Sequence, residues 1–340
     1  MPFHSADFFP TPLYEGITDA RVSKTELIGA AVERRVRPEE LTYDGKLTLL
    51  LVDQPARRLT AAGGDPIALG DRYELLGRVL RVLSSEFDGV VATVDIMEEL
   101  LILDQLIVGA GGESVLDDTL LIAAANPGGL AGSAWETNDR FTSFSSDSVS
   151  RLRLDGVFVR MRLDAGNKDS SDSLASVAGA IEEVERIGHG MPVFLAPLPV
   201  RRAANGYEPV LETEELVKIV GVASALGNTS TRSWLVLPPV DDFAWVTRAT
   251  TLPVLMQGGE ADADVPTTLA AFAAGMKAGG NVRGTLAGAG VLFPPGGDDP
   301  VVVARAIEQI VHDGADAQTA WAQAAEARGS DSEWLRKLFP

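Results

Sequence analysis

Two arginines, Arg160 and Arg162, interrupt an apolar run, Val157-Phe-Val-Arg-Met-Arg-Leu163. In a strand they share one face with Phe158, because side chains alternate across the backbone. Two guanidiniums on a buried face need anions, supplied by the protein or by a ligand. Asp53 closes the run Lys46-Leu-Thr-Leu-Leu-Leu-Val-Asp53, with Arg57 just beyond it, and Asp95 closes Gly89-Val-Val-Ala-Thr-Val-Asp95. If these runs lie side by side, both carboxylates can pair with the arginines. Two readings stay open. One is an ion-pair network that simply fills the interior. The other is a site that holds an anionic or polyhydroxylated ligand, with Asp53, Asp95, Arg160 and Arg162 available for acid–base or electrostatic catalysis.

Other candidates sit at similar places. Asn126 ends a third apolar run, 119–126. In Ser233-Trp-Leu-Val-Leu-Pro-Pro239, Trp234 and Val236 share one face. Gly258-Gly259 and Gly288-Ala289-Gly290 follow two later runs, where backbone N–H groups could cradle a phosphate or simply make tight turns. The loop from Asn126 to Glu136 and beyond carries Trp135, Glu136, Asp139 and Arg140. It reads either as a surface loop or as a lid. His4, His189 and His312 show no ligand spacing, so the sequence calls for no histidine metal site and no Ser-His-Asp triad. The carboxylates could in principle hold Mg²⁺, but nothing requires it, and no cofactor is expected.

The elements that must position these residues follow a βα alternation. Strands are expected at 46–53, 89–95, 119–126, 157–163, 191–196, 233–238, 252–257 and 282–287. Helices are expected near 71–85, 96–108, from 146, 173–187, 213–225, 241–249, 266–278 and 299–312. Near-continuous apolar strands suit a parallel sheet covered on both faces. Eight units predict an α/β (β/α)8 TIM barrel, in which chemistry gathers at the C-terminal strand ends. A doubly wound open sheet is disfavoured by the count and by the lack of G-x-G-x-x-G after the first strand. A helical extension is expected over 1–45, with Ser23 capping a helix from Lys24 to about Arg35. The barrel should span 46–313. Helices carrying Trp321, Trp334 and Leu335 over 314–340 should cap the barrel or make a subunit contact, so a homo-oligomer is one state to consider.

The 340 residues carry a net charge of −19, which opposes binding to nucleic acid or to an anionic membrane surface. There is no cysteine, hence no disulfide or thiolate chemistry. No run of roughly 18 apolar residues suggests a membrane span. The first residues, MPFHSADFFP, lack the basic and apolar regions of a signal peptide. A cytoplasmic protein with a small-molecule partner is the expectation.

Several stretches together carry a family resemblance: LLLVDQPARR with GGDP at 63–66, DGVVATVDIMEELLIL, NPGGLAGSAWETNDRFT, the strand around Arg162, SWLVLPPVDD, TLPVLMQGGE and GAGVLFPP. Over 47–311 the chain resembles an actinobacterial branch of the class I aldolase superfamily, related to deoxyribose-phosphate aldolase and archaeal-type fructose-bisphosphate aldolases and found with inositol-catabolism proteins. The resemblance implies a TIM barrel and carbon–carbon cleavage of a carbonyl or sugar-phosphate-like ligand, hence carbohydrate metabolism. It implies a lysine that forms a Schiff base and so turns the substrate carbonyl into an electron sink. That lysine falls at Val236, where relatives read WLKLP. A supporting lysine falls at Phe158, a glutamate at Ala196 and an arginine at Ala289. Asp53, Asn126 and Arg162 match the pattern.

The expected ligand-binding set is therefore Arg57, Asn126, Phe158, Trp234, Val236, Gly258, Gly259 and Gly288. Three functions stay open: a diverged carbon–carbon lyase or related carbonyl enzyme without an imine, a non-catalytic homologue that binds a ligand or a partner enzyme, and a Schiff-base aldolase with a relocated lysine, for which Lys168 is the candidate.

Overall fold

The computed structural model describes residues 3–126, 130–133, 136–138, 140–187, 190–204, 206–261, 263–330 and 333–340. Trp135, Asp139, His189 and the Pro-Gly-Gly at 127–129 lie outside the described residues.

Eight parallel strands close into a barrel: β1 (Leu47–Val52), β2 (Gly89–Ala92), β3 (Leu120–Ala124), β4 (Gly156–Leu163), β5 (Val193–Ala203), β7 (Ser233–Leu237), β8 (Val254–Gly258) and β9 (Val282–Ala287). β4 pairs with β5 and β1 with β9, so no edge is left open. This is the TIM barrel the apolar alternation predicts. The ninth strand, β6 (Gly206–Pro209), forms an antiparallel hairpin with the end of β5. The sequence reading stopped the fifth strand at Ala196. In the structure it runs on to Ala203, beyond the barrel rim.

The lumen is filled by one face of each strand, including Leu47, Leu49 and Leu51 of β1, Ile122 and Ala124 of β3, and Phe158, Phe194, Val236 and Leu286. Period-two alternation continues each of these rows toward the C-terminal rim. The row from Leu51 leads to Asp53, that from Ala124 to Asn126, and that from Phe158 to Arg160 and Arg162.

The helices α4 (Arg72–Leu83), α5 (Val94–Gly109), α7 (Ser170–Ile187), α8 (Thr213–Ser224), α10 (Val265–Gly275) and α12 (Pro300–Val311) form the outer layer. Shorter helices fill the gaps: α6 (Ser146–Arg151), α9 (Phe243–Thr247) and α11 (Ala289–Leu292). Three helices precede the barrel: α1 (Ser5–Phe8), α2 (Thr11–Ser23) and α3 (Glu26–Arg34). Ser23 ends α2 rather than capping α3, whose N-cap is Thr25 without a side-chain cap bond. Two helices follow the barrel, α13 (Ala317–Ala325) and α14 (Trp334–Leu338). Trp334 packs edge-on against Phe8 at 6.3 Å, and Leu335 is fully buried, so the two extensions meet each other. Among the described residues no helix is long and apolar enough to cross a membrane.

Candidate functional site

The rim of the barrel gathers three guanidiniums. Arg160 donates to Asp53 through Nε at 2.9 Å and Nη2 at 2.7 Å, both bonds ending on Oδ2. Both residues are buried, and Asp53 is only 1 % exposed. Asp53 Oδ1 has no hydrogen-bond partner among the described residues. Arg160 is held from behind as well. Asn126 Nδ2 donates to its carbonyl at 2.7 Å, and its N–H donates to Asn126 Oδ1 at 2.8 Å. Its guanidinium lies over the Phe158 ring, 5.1 Å from the centroid. Arg162, one pleat higher, donates to Glu136 Oε1 at 2.7 Å. The other oxygen of Glu136 accepts the N–H of Gly132 at 3.0 Å, which ties the loop after β3 to β4.

Arg57 stands on a single 3-10 turn, Pro55–Arg57, just after β1. No carboxylate bonds to it among the described residues, and its Nε is buried without a hydrogen-bond partner. Burial, then the nearby charge of Arg160, push its pKa down to about 10, although Asp53 pulls the other way. Desolvation disfavours a charged form, and a like charge adds to the penalty.

These arginines line one side of a cavity of about 530 Å³ at the C-terminal strand ends. Its other walls come from Ala196, Pro197 and Leu198 of β5, Pro209 and Leu211 of the hairpin and its exit, Val236, Pro238 and Pro239 of β7 and its exit, and Gln257, Gly258, Gly259 and Glu260. A second cavity, about 510 Å³, lies between α6 and α7. It lies outside the lumen, against the outward-facing Ala125 and Val157, whereas the three rim arginines converge on the mouth, so the mouth is the better candidate site.

The expected residues fall into distinct positions. Asp53 and Arg160 pair directly, Arg57, Arg162 and Val236 line the cavity, and Gly258 and Gly259 form part of its wall. Asn126 and Phe158 do not line it. They position Arg160 from the side and from below. Trp234 is paired level with Phe194, which is level with Phe158, so it belongs to the layer beneath the cavity and packs there at 5.8 Å from Phe194. Asp95 is misplaced by the sequence reading. β2 stops at Ala92 and α5 begins at Val94, so strand alternation no longer governs Asp95. Its carboxylate bonds to Arg72 at 2.6 Å on the outer helical layer rather than to Arg160 or Arg162.

The paired glycines have a backbone role. Gly288 N–H donates to Gly258 O at 2.8 Å, and Gly290 N–H donates to Gly259 O at 2.7 Å. A Cβ at Gly290 would lie 2.5 Å from Glu260 O, so only glycine permits this close approach. Those two N–H groups are therefore engaged within the protein and do not face a phosphate, and Gly288 does not line the cavity.

The sequence places Glu136 in the loop and does not link it to the arginines; an acidic residue in a long loop after a strand end is its one sequence signal. The hairpin carries a clearer one, since Asn-Gly at 205–206 marks a turn, with Gly206 opening β6.

Residues 45–310 match the family model described as Cgl0159-like. The chain belongs to the Cgl0159-like family. Among solved structures, this Cgl0159-like chain is similar to Cgl0159 from Corynebacterium glutamicum, with 28% identity over 90% of this chain and 98% of that one and a TM-score of 0.81. It is also similar to a fructose-bisphosphate aldolase from Slackia heliotrinireducens, with 14% identity over 97% of both chains and a TM-score of 0.62. A Schiff-base-forming fructose-1,6-bisphosphate aldolase matches at 19% identity over 84% of this chain and 100% of that one, with a TM-score of 0.52. No curated protein matches. With both aldolases the chain shares the TIM-barrel fold.

Proposed function

We propose that this Cgl0159-like barrel is a diverged carbonyl enzyme, a carbon–carbon lyase or a close relative, that works without a Schiff base. The observation that carries this reading is Val236. It lines the mouth cavity, 1 % exposed, at the position where the aldolase resemblance puts the imine-forming lysine. None of the chain's lysines (24, 46, 168, 218, 277 and 337) lines that cavity. Lys46 donates to the carbonyl of His312, at the N-terminal end of the barrel, and Lys168 is exposed on the loop before α7. A valine cannot form an imine, so charge developing on a substrate oxygen would have to be met by guanidiniums. In this reading Arg160 and Arg162 stabilise that charge, and Asp53, with one oxygen unpaired among the described residues, is the acid–base group.

A second reading rests on the closure of the ion pairs. Arg160 with Asp53 and Arg162 with Glu136 could serve packing alone, as in a non-catalytic homologue that binds a ligand or partner. Borohydride trapping with keto-sugars and sugar phosphates, read by intact mass, tests the main reading on the wild type and on Val236→Lys. The expected result is no adduct on the wild type and an adduct on the variant. A substrate-dependent adduct on the wild type would overturn the reading in favour of a relocated lysine.

A further inference from the structure

Among the described residues, one guanidinium at the mouth, that of Arg57, has no bonded carboxylate. Arg57, Arg160 and Arg162 face two buried carboxylates, Asp53 and Glu136, and each of those is bonded to another arginine. Glu260 and Asp264 also line the cavity, but both are exposed, so water screens them. Arg57 is thus a partly buried cation whose Nε meets no acceptor among the described residues. Holding a cation partly out of water is costly, and an anion bound at the guanidinium face that lines the cavity would offset the cost. The same cavity offers an apolar surface on Pro197, Leu198, Val236 and Pro238. A ligand that satisfies both surfaces has one anionic end and an apolar body.

The glycine N–H groups of Gly288 and Gly290, at the strand ends where a barrel would ordinarily seat phosphate, are already engaged. Carboxylate geometry also suits a guanidinium, which can donate two parallel bonds to it. We propose that the mouth cavity binds an organic monocarboxylate, with its carboxylate on Arg57 and its apolar body against Val236, Pro197, Leu198 and Pro238. The inference rests on the reading that the mouth cavity is the ligand site, and it narrows that site's substrate class.

Titration calorimetry and ligand-observed NMR on the full chain test it. The probes are 4-methyl-2-oxopentanoate and hexanoate, their neutral methyl esters, and inorganic phosphate. The expected result is that the acids bind at least tenfold more tightly than their esters and more tightly than phosphate. Arg57→Gln should abolish the preference for acid while leaving ester binding intact, and Arg57→Lys should restore part of it. Equal binding of acid and ester, with no effect of Arg57→Gln, would overturn the carboxylate assignment while leaving the cavity as a ligand site. Phosphate binding as tightly as the acids, and weakened by Arg57→Gln, would overturn the choice of carboxylate. Ester binding lost together with acid binding in a folded Arg57→Gln would make Arg57 a structural residue and overturn the assignment. If no probe binds, the inference and the ligand-site reading fall together.

Discussion

The two ends of the barrel handle charge in opposite ways. At the N-terminal end, buried Arg35 donates to Asp155 at 2.8 Å and to the carbonyls of Arg153 and Thr119. Asp155 in turn accepts from Arg37 at 2.7 Å and from the N–H of Leu121 at 2.9 Å. His312 bridges Asp44 and Asp88 at 3.2 and 3.1 Å, with Tyr43 stacked on its ring. Those groups are spent on joining the helical extension and α12 to the barrel floor. At the C-terminal end Arg57 keeps a charge that no bonded carboxylate answers among the described residues. Closed networks at one end and an open one at the other separate what holds the fold from what can meet a ligand.

Breaking the closed end should cost most. Asp155→Ala strands Arg35 and the Leu121 N–H in a buried site, and a loss of about 3–5 kcal/mol is expected. Urea unfolding measures it, and a loss under about 1 kcal/mol would mean that water replaces the carboxylate there.

The next effect depends on pH. Burial pushes the Glu308 carboxyl up to about 7, helped by Glu86 and opposed by the hydrogen bond from Ser85. His312 is also raised, because Asp88 and Asp44 outweigh its burial. Both groups bind their proton more tightly in the folded state. Their contributions are therefore full at low pH and are lost as pH rises. For Glu308 the loss runs from 4.5 to about 7 and is worth on the order of 3 kcal/mol. For His312 it begins at 6.5 and extends upward. Melting temperature against pH should fall through this window, and Glu308→Gln should flatten the lower part. An unchanged slope in that variant would mean that Glu308 is ionised in the folded protein.

The smallest stability change is expected at Arg57→Gln, within about 1 kcal/mol of wild type or more stable, since it removes an uncompensated buried cation. If it destabilises as strongly as Asp155→Ala, the contrast between the two ends fails.

The barrel was legible because its strands are apolar runs of a length and spacing that few other arrangements accept. The Asp53–Arg160 contact was legible for the same reason, because alternation along β1 and β4 sends both side chains into the lumen. Asp95 was not, because helix capping at Thr93 and Val94 ends the alternation three residues earlier than the apolar run suggests. Trp234 and Phe158 share the correct face, but sequence gives the face of a residue and not its height in the barrel. Height depends on stagger between neighbouring strands, such as Phe158 with Phe194 and Phe194 with Trp234. That Arg57 has no bonded carboxylate among the described residues depends on how separate rim segments pack, which no local sequence pattern gives.

The overrun of β5 into its hairpin with β6 gives the mouth a wall that grows directly out of the barrel staves. Pro209 and Leu211 reach the cavity from that projection, while the closed sheet below ends its β4–β5 pairing at Leu163 and Pro199. Strand geometry makes such a wall adjustable in steps of two. Adding or removing one residue pair in each arm changes its reach by about 7 Å and keeps every inward side chain inward, whereas a single residue turns the face inside out. Paralogues could therefore resize the chamber for longer or shorter molecules through this one projection and leave the arginines and their carboxylates untouched.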